Sequence, residues 1–360
     1  MELQKFINGN SDYIKVIRKH DIHVIKDKSM DIAILKYNRN KINKYDYENN
    51  PWMKYCKGAV IDLKINKVIC VPPLKSNENK DINNIVSEYT QGNIYQPLID
   101  GTMINMFYKD NKWIICTRSN IGANNSWDGK VKFKDLFIEI NGKEWFNKLD
   151  KNNCYSFVFQ HKKNRIVTPV IENRIFMIHS YNIEGENPIR CDTLPTIDGI
   201  TNIFNITEED IKEYLNQPLY YSIKGLSIIS ENNRVKWINP EFNKVFHIKP
   251  NNNNKFLNYM ELSKNSKLNE YMQYFPEDNQ VFTEYYNKFL NFRNILYKTY
   301  INIHIAKKNT LKDVNYILKP LIYELHGDYL KTREKISINK VNNYIMGLPD
   351  VKVLFIINRL

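Results

Sequence analysis

The sequence predicts an α+β fold: a domain dominated by antiparallel sheets over residues 1–250, then a mostly α-helical C-terminal domain over residues 251–360. Three observations predict it. From about Ala59 to Ile248, short runs rich in β-branched and aromatic residues are broken by clusters of Asn, Gly, Asp and Pro. After Pro250, the four asparagines Asn251 to Asn254 form a polar linker. Beyond them the apolar spacing changes to three and four residues, the period of a helix.

In chain order, Met103–Tyr108 and Lys112–Thr117 flank Lys109-Asp110-Asn111, which predicts a hairpin closed by a polar turn. Ser156–Phe159, Arg174–Ser180, Leu226–Ser230 and Arg234–Ile238 predict further strands. Phe282, Tyr285, Tyr286, Phe289, Phe292, Leu296 and Tyr300 fall on one face of a long helix, an apolar stripe that reads as core. A second helix is expected to start at Thr310, where Thr310 and Asp313 suit a variant of the capping box, with Lys319-Pro320 kinking it on the way to His326-Gly327. A last helix is expected over Ile336–Leu348, with Gly347 near its end.

The chain carries 52 Lys and Arg against 39 Asp and Glu, a formal net charge of +13. A surplus of that sign favours polyanions through phosphate neutralisation and counterion release, although an AT-rich coding genome produces the same abundance of Lys, Asn, Ile and Tyr. Cys56, Cys70, Cys116, Cys154 and Cys191 stand singly, with no Cys-x-x-Cys pair and no matching His spacing, so neither a zinc site nor a disulfide framework is indicated. The opening residues hold no apolar core of signal-peptide length, and no stretch reaches the roughly 18 apolar residues of a membrane span. The expectation is a soluble protein of the reducing cytoplasm.

Four stretches carry chemistry. The first is Tyr55-Cys56-Lys57-Gly58-Ala59-Val60-Ile61-Asp62, with Pro72-Pro73-Leu74-Lys75 after it. The second is Leu98-Ile99-Asp100-Gly101-Thr102, whose hairpin ends at Thr117-Arg118-Ser119-Asn120. The third is Phe157-Val158-Phe159-Gln160, continuing to Asn164-Arg165-Ile166-Val167. The fourth joins Ile223-Lys224-Gly225-Leu226-Ser227 to Arg234-Val235-Lys236-Trp237-Ile238. In order and spacing they resemble the nucleotidyltransferase motifs of the phage-type RNA ligases, members of the covalent nucleotidyltransferase superfamily, over roughly residues 50 to 250.

The resemblance implies an adenylyltransferase-like domain and assigns roles. In that family the lysine of Lys-x-Asp-Gly attacks the α-phosphate of ATP; here that position is Leu98. A glutamate after phenylalanine becomes Gln160, the glutamate of Glu-Gly becomes Lys224, and the second lysine of Lys-x-Lys becomes Ile238. Nucleotidyl transfer needs an amine nucleophile, a divalent metal and charge stabilisation, and these four changes strike all three. The four family positions sum to zero charge, whereas here Lys224 alone is charged, giving +1. No catalytic residue and no metal site are expected.

Lys57, Lys75, Asp100, Gly101, Arg118 and Lys236 are retained or conservatively replaced, a set suited to the phosphates of a nucleotide or RNA end. Asp100-Gly101 also suits an ordinary turn, and Arg118 and Lys236 also suit solvated charges. Trp237 reads as packed rather than as a stacking platform, and His161 as the one histidine close to the cleft. The expectation is a ligase-like pseudoenzyme that binds RNA or a nucleotide such as ATP without covalent adenylylation, from a phage or large DNA virus. Two rivals stand beside it: an active ligase or guanylyltransferase that uses a displaced lysine, Lys224, with Mg, and a scaffold whose helical domain docks a protein partner.

Overall fold

The computed structural model describes residues 1–38, 41, 44–78, 92–127, 129–207, 209–211, 213, 220–230 and 233–360. The chain divides into two compact units, Met1–Phe246 and His247–Leu360.

The first unit opens with two short helices, α1 (Glu2–Asn8) and α2 (Tyr13–Lys19), which the sequence reading did not anticipate. Then comes a four-stranded antiparallel sheet in the order β1 (Ile22–Asp27), β2 (Ile32–Tyr37), β3 (Val60–Asp62), β4 (Lys67–Cys70), with helix α3 (Lys44–Asn49) between β2 and β3. Leu3 and Ile7 of α1 and Ile17 of α2 bury against this sheet, and the amide oxygen of Gln4 accepts the backbone N–H of Val68 at 2.7 Å. That bond satisfies a polar side chain taken out of water.

A six-stranded sheet forms the centre. Its order is β11 (Ile189–Arg190), β10 (Arg174–Asn182), β9 (Asn153–Gln160), β7 (Thr102–Lys109), β8 (Lys112–Cys116), with β12 (Ile200–Asn202) parallel to β10. The β7–β8 hairpin turns on Asp110 and Asn111, both at positive φ (50° and 59°), the backbone a two-residue hairpin demands and Asp and Asn tolerate. One face packs against α4 (Phe133–Asn141) through Phe137, Trp145, Phe157 and Phe159. A nearly buried ion pair, Lys109 to Asp62 at 2.5 Å, ties this sheet to the first.

A third sheet has the order β5 (Asn77–Glu78), β14 (Arg234–Ile238), β13 (Gly225–Ile229), β6 (Ile94–Pro97), with β5 parallel to β14 and the other pairs antiparallel. Helix α5 (Pro240–Ile248) follows. The segment Leu98–Gly101 therefore carries the chain from the third sheet into the central one, which places it where the two sheets meet.

The second unit is helical: α6 (Lys255–Lys264), α7 (Leu268–Tyr274), α8 (Asn279–Tyr300), α9 (Lys319–Thr332), α10 (Ile338–Gly347) and α11 (Asp350–Ile357). Asn254 caps α6, its side chain accepting from Phe256 and Leu257 N–H. On α8 the residues Phe282, Phe289, Phe292, Leu296 and Tyr300 are buried as the spacing predicts, but Tyr286, at the flank of the stripe, is 50% exposed. The Thr310–Asp313 capping box forms, yet it closes only a single 3-10 turn, Leu311–Asp313. The helix begins at Lys319, and Pro320 sits in its first turn, where a missing N–H costs nothing; it starts the helix instead of kinking it. No helix among the described residues is long and apolar enough to cross a membrane.

Candidate functional site

The turn between β6 and β7 is locked from three sides. Leu98 N–H donates to the Gly225 carbonyl at 2.8 Å, extending the β6–β13 pairing. Gln160 Nε2 donates to the Asp100 carbonyl at 2.9 Å from the end of β9. Asp100 itself is buried, and its Oδ2 accepts the backbone N–H groups of Val167 at 2.9 Å and Thr168 at 3.0 Å. At Gly101 (φ +147°) a Cβ would stand 2.3 Å from the Phe159 carbonyl oxygen, so only glycine lets the loop approach β9 this closely.

Lys224, just before β13, reaches this turn: its Nζ lies 3.2 Å from Asp100 Oδ1 and 5.6 Å from the centre of the Phe242 ring. Burial pushes its amine below the ordinary lysine range, the Asp100 carboxylate opposes that, and the charges of Arg118 and Lys236 add to the lowering. Three cations of the four stretches are thus close enough to feel one another. Arg118 Nε is 3.3 Å from the Met103 sulfur on β7, above an apolar patch of Met103, Val158 and Ile178. Lys236, on β14 opposite Ser227, pairs with Glu78 at 3.2 Å. Ile238 closes β14 beside Gly225.

Lys57 sits elsewhere on the same rim. With Arg118, Ser119, His23 and Lys36 it lines an open cavity of about 490 Å³, and the adjoining Gly58 packs its Cα against Arg118, where a Cβ would lie 2.9 Å from the Arg118 Cα. Lys75 Nζ lies 5.7 Å from the Tyr47 ring centre, with its backbone N–H on the Lys54 carbonyl. His161 is buried away from the Asp100–Lys224 pair: its Nδ1 accepts the Lys163 N–H, and Nε2 is 3.5 Å from Glu139. Trp237 is buried.

Two of the four positions that depart from the ligase pattern have structural work through their side chains. Gln160 and Lys224 both bind Asp100, and Asp100 in turn is spent on two N–H groups and an ammonium. This donor set does not suit a divalent cation, which seeks several carboxylate or water oxygens and here would meet an ammonium at 3.2 Å from the nearest carboxylate oxygen. Among the described residues no group of three His, Cys, Asp or Glu is placed to hold a metal. What the arrangement offers is a rim of positive charge. Arg190 and Arg234, which the sequence reading did not single out, extend that positive field: Arg234 shares the face of β14 with Lys236 by strand alternation, a signal the pattern does carry.

No family model matches the chain, and no curated protein matches it. Among solved structures it is similar to a protein of Aquifex aeolicus provisionally assigned as an ATP-dependent DNA ligase, with 11% identity and a TM-score of 0.39, covering 89% of this chain and 79% of that one. It is also similar to Naegleria gruberi RNA ligase in two lysine-to-alanine mutants, one apo (11% identity, TM-score 0.33) and one with ATP and Mn (12% identity, TM-score 0.32). Each of these alignments covers 49% of this chain and 60% of the Naegleria chain.

Proposed function

We propose that this chain is a ligase-like protein that binds the phosphates of RNA or of a nucleotide without forming a covalent nucleotide adduct. One observation carries the reading: Lys224 meets Asp100 in the turn Leu98–Gly101 within the field of Arg118 and Lys236, while the side chain at position 98 is hydrocarbon. Cations held by sheet ends bind phosphate oxygens by charge-assisted hydrogen bonds, and that needs no nucleophile. The ion pair with Asp100 opposes the lowering that burial imposes on the Lys224 amine and so favours the ammonium form, which binds anions and does not attack phosphorus.

A second reading draws on the same lysine. Its amine stands in the cleft with a pKa lowered by burial, which is how lysine nucleophiles are activated. Incubation with α-radiolabelled ATP and, separately, GTP in the presence of Mg or Mn, followed by denaturing electrophoresis, separates the two. The binding reading expects no labelled protein with either nucleotide; a band that disappears in Lys224→Ala establishes the displaced nucleophile instead. The helical second unit as a dock for a protein partner remains a proposal of its own, and loss of RNA binding with no labelling would leave it standing.

A further inference from the structure

A cavity of about 410 Å³ lies beside the site, between the segment leading into β5, the end of β10, β11 and the facing ends of β13 and β14. Its walls are mixed. Leu74, Tyr181 and Ile229 supply apolar surface, and Arg190 and Arg234 supply two guanidinium groups. The Nε of Arg234 is buried and has no hydrogen-bond partner among the described residues. No carboxylate among them lies within ion-pair distance of either arginine; Asp192 acts on Arg190 only from further off. His179 on the same wall brings no charge: Nε2 is 3.0 Å from the Val71 carbonyl and burial, reinforced by Arg190, pushes its pKa down to about 3.

Two like charges half withdrawn from water, with no counter-ion among the described residues, are costly to a folded protein. Burial first, then the charges of Arg118 and Arg190, lower the Arg234 guanidinium to about 10. A ligand that brings negative charge and several acceptor oxygens removes that cost, and the planar guanidinium fork matches a phosphoryl group. The volume falls within the range of small-molecule pockets. Arg118, coupled to Lys224 on one side and Arg234 on the other, makes the cavity the far end of one positive track.

We infer that the Arg190–Arg234 cavity is an anion subsite that takes a phosphoryl group, separate from the Asp100–Lys224 turn. The inference goes beyond the reading above and stands whether or not Lys224 reacts. Calorimetric titration of the full chain with inorganic pyrophosphate tests it. Arg190→Gln and Arg234→Gln are each expected to weaken pyrophosphate about tenfold or more, and Arg234→Lys, which keeps the charge and loses the fork, by an intermediate factor. In anion-free buffer Arg234→Gln is expected to melt above the parent, because it deletes a half-buried charge whose Nε has no partner among the described residues, and pyrophosphate is expected to raise the melting temperature of the parent alone. A parent that does not bind pyrophosphate overturns the proposal. So does a binding constant unchanged in both arginine variants but lost in the Lys224→Met/Lys236→Gln double variant, a result that leaves the Asp100 reading intact. A lower melting temperature in Arg234→Gln, with pyrophosphate raising it as in the parent, marks a structural arginine and also overturns it. A free nucleoside triphosphate and an RNA 5′ end present the same group; competition by ATP and by a short 5′-phosphorylated RNA names the source, and competition by neither rejects the site.

Discussion

Asp100 holds Lys224 through Oδ1 at 3.2 Å while its Oδ2 accepts two backbone N–H groups, so the partners of this pair depend on each other unequally. Asp100→Ala strands two inward N–H groups and a partly buried ammonium, and is expected to cost about 3–5 kcal/mol. Lys224→Met leaves the carboxylate with both N–H donors and its place at the cleft edge, and is expected to cost about 1 kcal/mol. Urea unfolding of both variants measures the difference; equal losses would show that the carboxylate is not the anchor of the turn.

On the proposed reading, the chemistry missing at Leu98, Gln160, Lys224 and Ile238 is separable from the fold. Leu98→Lys alone introduces an amine opposite the Lys224 ammonium and without the carboxylates of the ligase pattern, and is expected to remain unlabelled by radioactive ATP. The combination Leu98→Lys, Gln160→Glu, Lys224→Glu and Ile238→Lys restores amine, carboxylates and second cation together, and is expected to acquire a labelled band with Mg or Mn. Labelling of the single variant at the level of the combination would mean that the site lacks only its nucleophile.

Lys236 shares its charge with Glu78, a half-exposed carboxylate 3.2 Å away on β5. If Lys236 serves phosphate, Glu78 competes with it. Glu78→Gln is therefore expected to tighten single-stranded RNA by about two- to fivefold at low salt and to steepen the fall of log affinity with log salt by about 0.7, the contribution of one more phosphate contact. Fluorescence anisotropy across a salt series reads both quantities, and an unchanged slope removes Lys236 from the interface.

Local signals were legible where a residue type answers to its immediate neighbours. The Asp110-Asn111 turn, the strand Arg234–Ile238 and, Tyr286 apart, the aromatic spacing of α8 each translated into structure. Thr310–Asp313 shows the limit: the capping box is satisfied by its own hydrogen bonds, but the apolar contacts that sustain a helix begin only after Pro320. The candidate site was half legible. Motif spacing brought forward Asp100, Arg118, Lys224 and Lys236, but the meeting of Asp100 with Lys224 joins residues 124 positions apart and is decided by the crossing between sheets. Arg190 stayed hidden because a two-residue edge strand carries no periodicity, and it gains meaning only from the arginine it faces.

Two glycines should respond oppositely to the same substitution. Gly101 holds φ +147° with the Phe159 carbonyl oxygen 2.3 Å from where a Cβ would lie, so Gly101→Ala combines backbone strain with a clash against backbone that cannot yield. A loss of about 3 kcal/mol or more is expected. Gly327 lies inside α9 with nothing near its Cβ direction, and Gly327→Ala is expected to stabilise by about 0.5–1 kcal/mol through helix propensity. Thermal melts of both variants decide it, and a destabilised Gly327→Ala would mean that α9 is not helical at that point.

His179 gives the protein a pH dependence of known sign. Its pKa falls from 6.5 to about 3 in the folded chain, first because burial disfavours the imidazolium and then because Arg190 repels it. Below pH 6.5 the unfolded chain takes up a proton at this residue that the folded chain refuses, so the stability it contributes is complete above pH 6.5 and is lost progressively as the pH falls towards 3. At pH 5.5 the loss is about 1.4 kcal/mol relative to neutral pH. His179→Gln keeps a donor for the Val71 carbonyl and has no proton to gain, so its stability difference between pH 7.5 and 5.5 should be smaller than the parent's by about that amount. Urea unfolding of parent and variant at the two pH values checks this. Parallel losses in the two proteins would place the acid sensitivity in other groups and show that this imidazole protonates freely in the folded state.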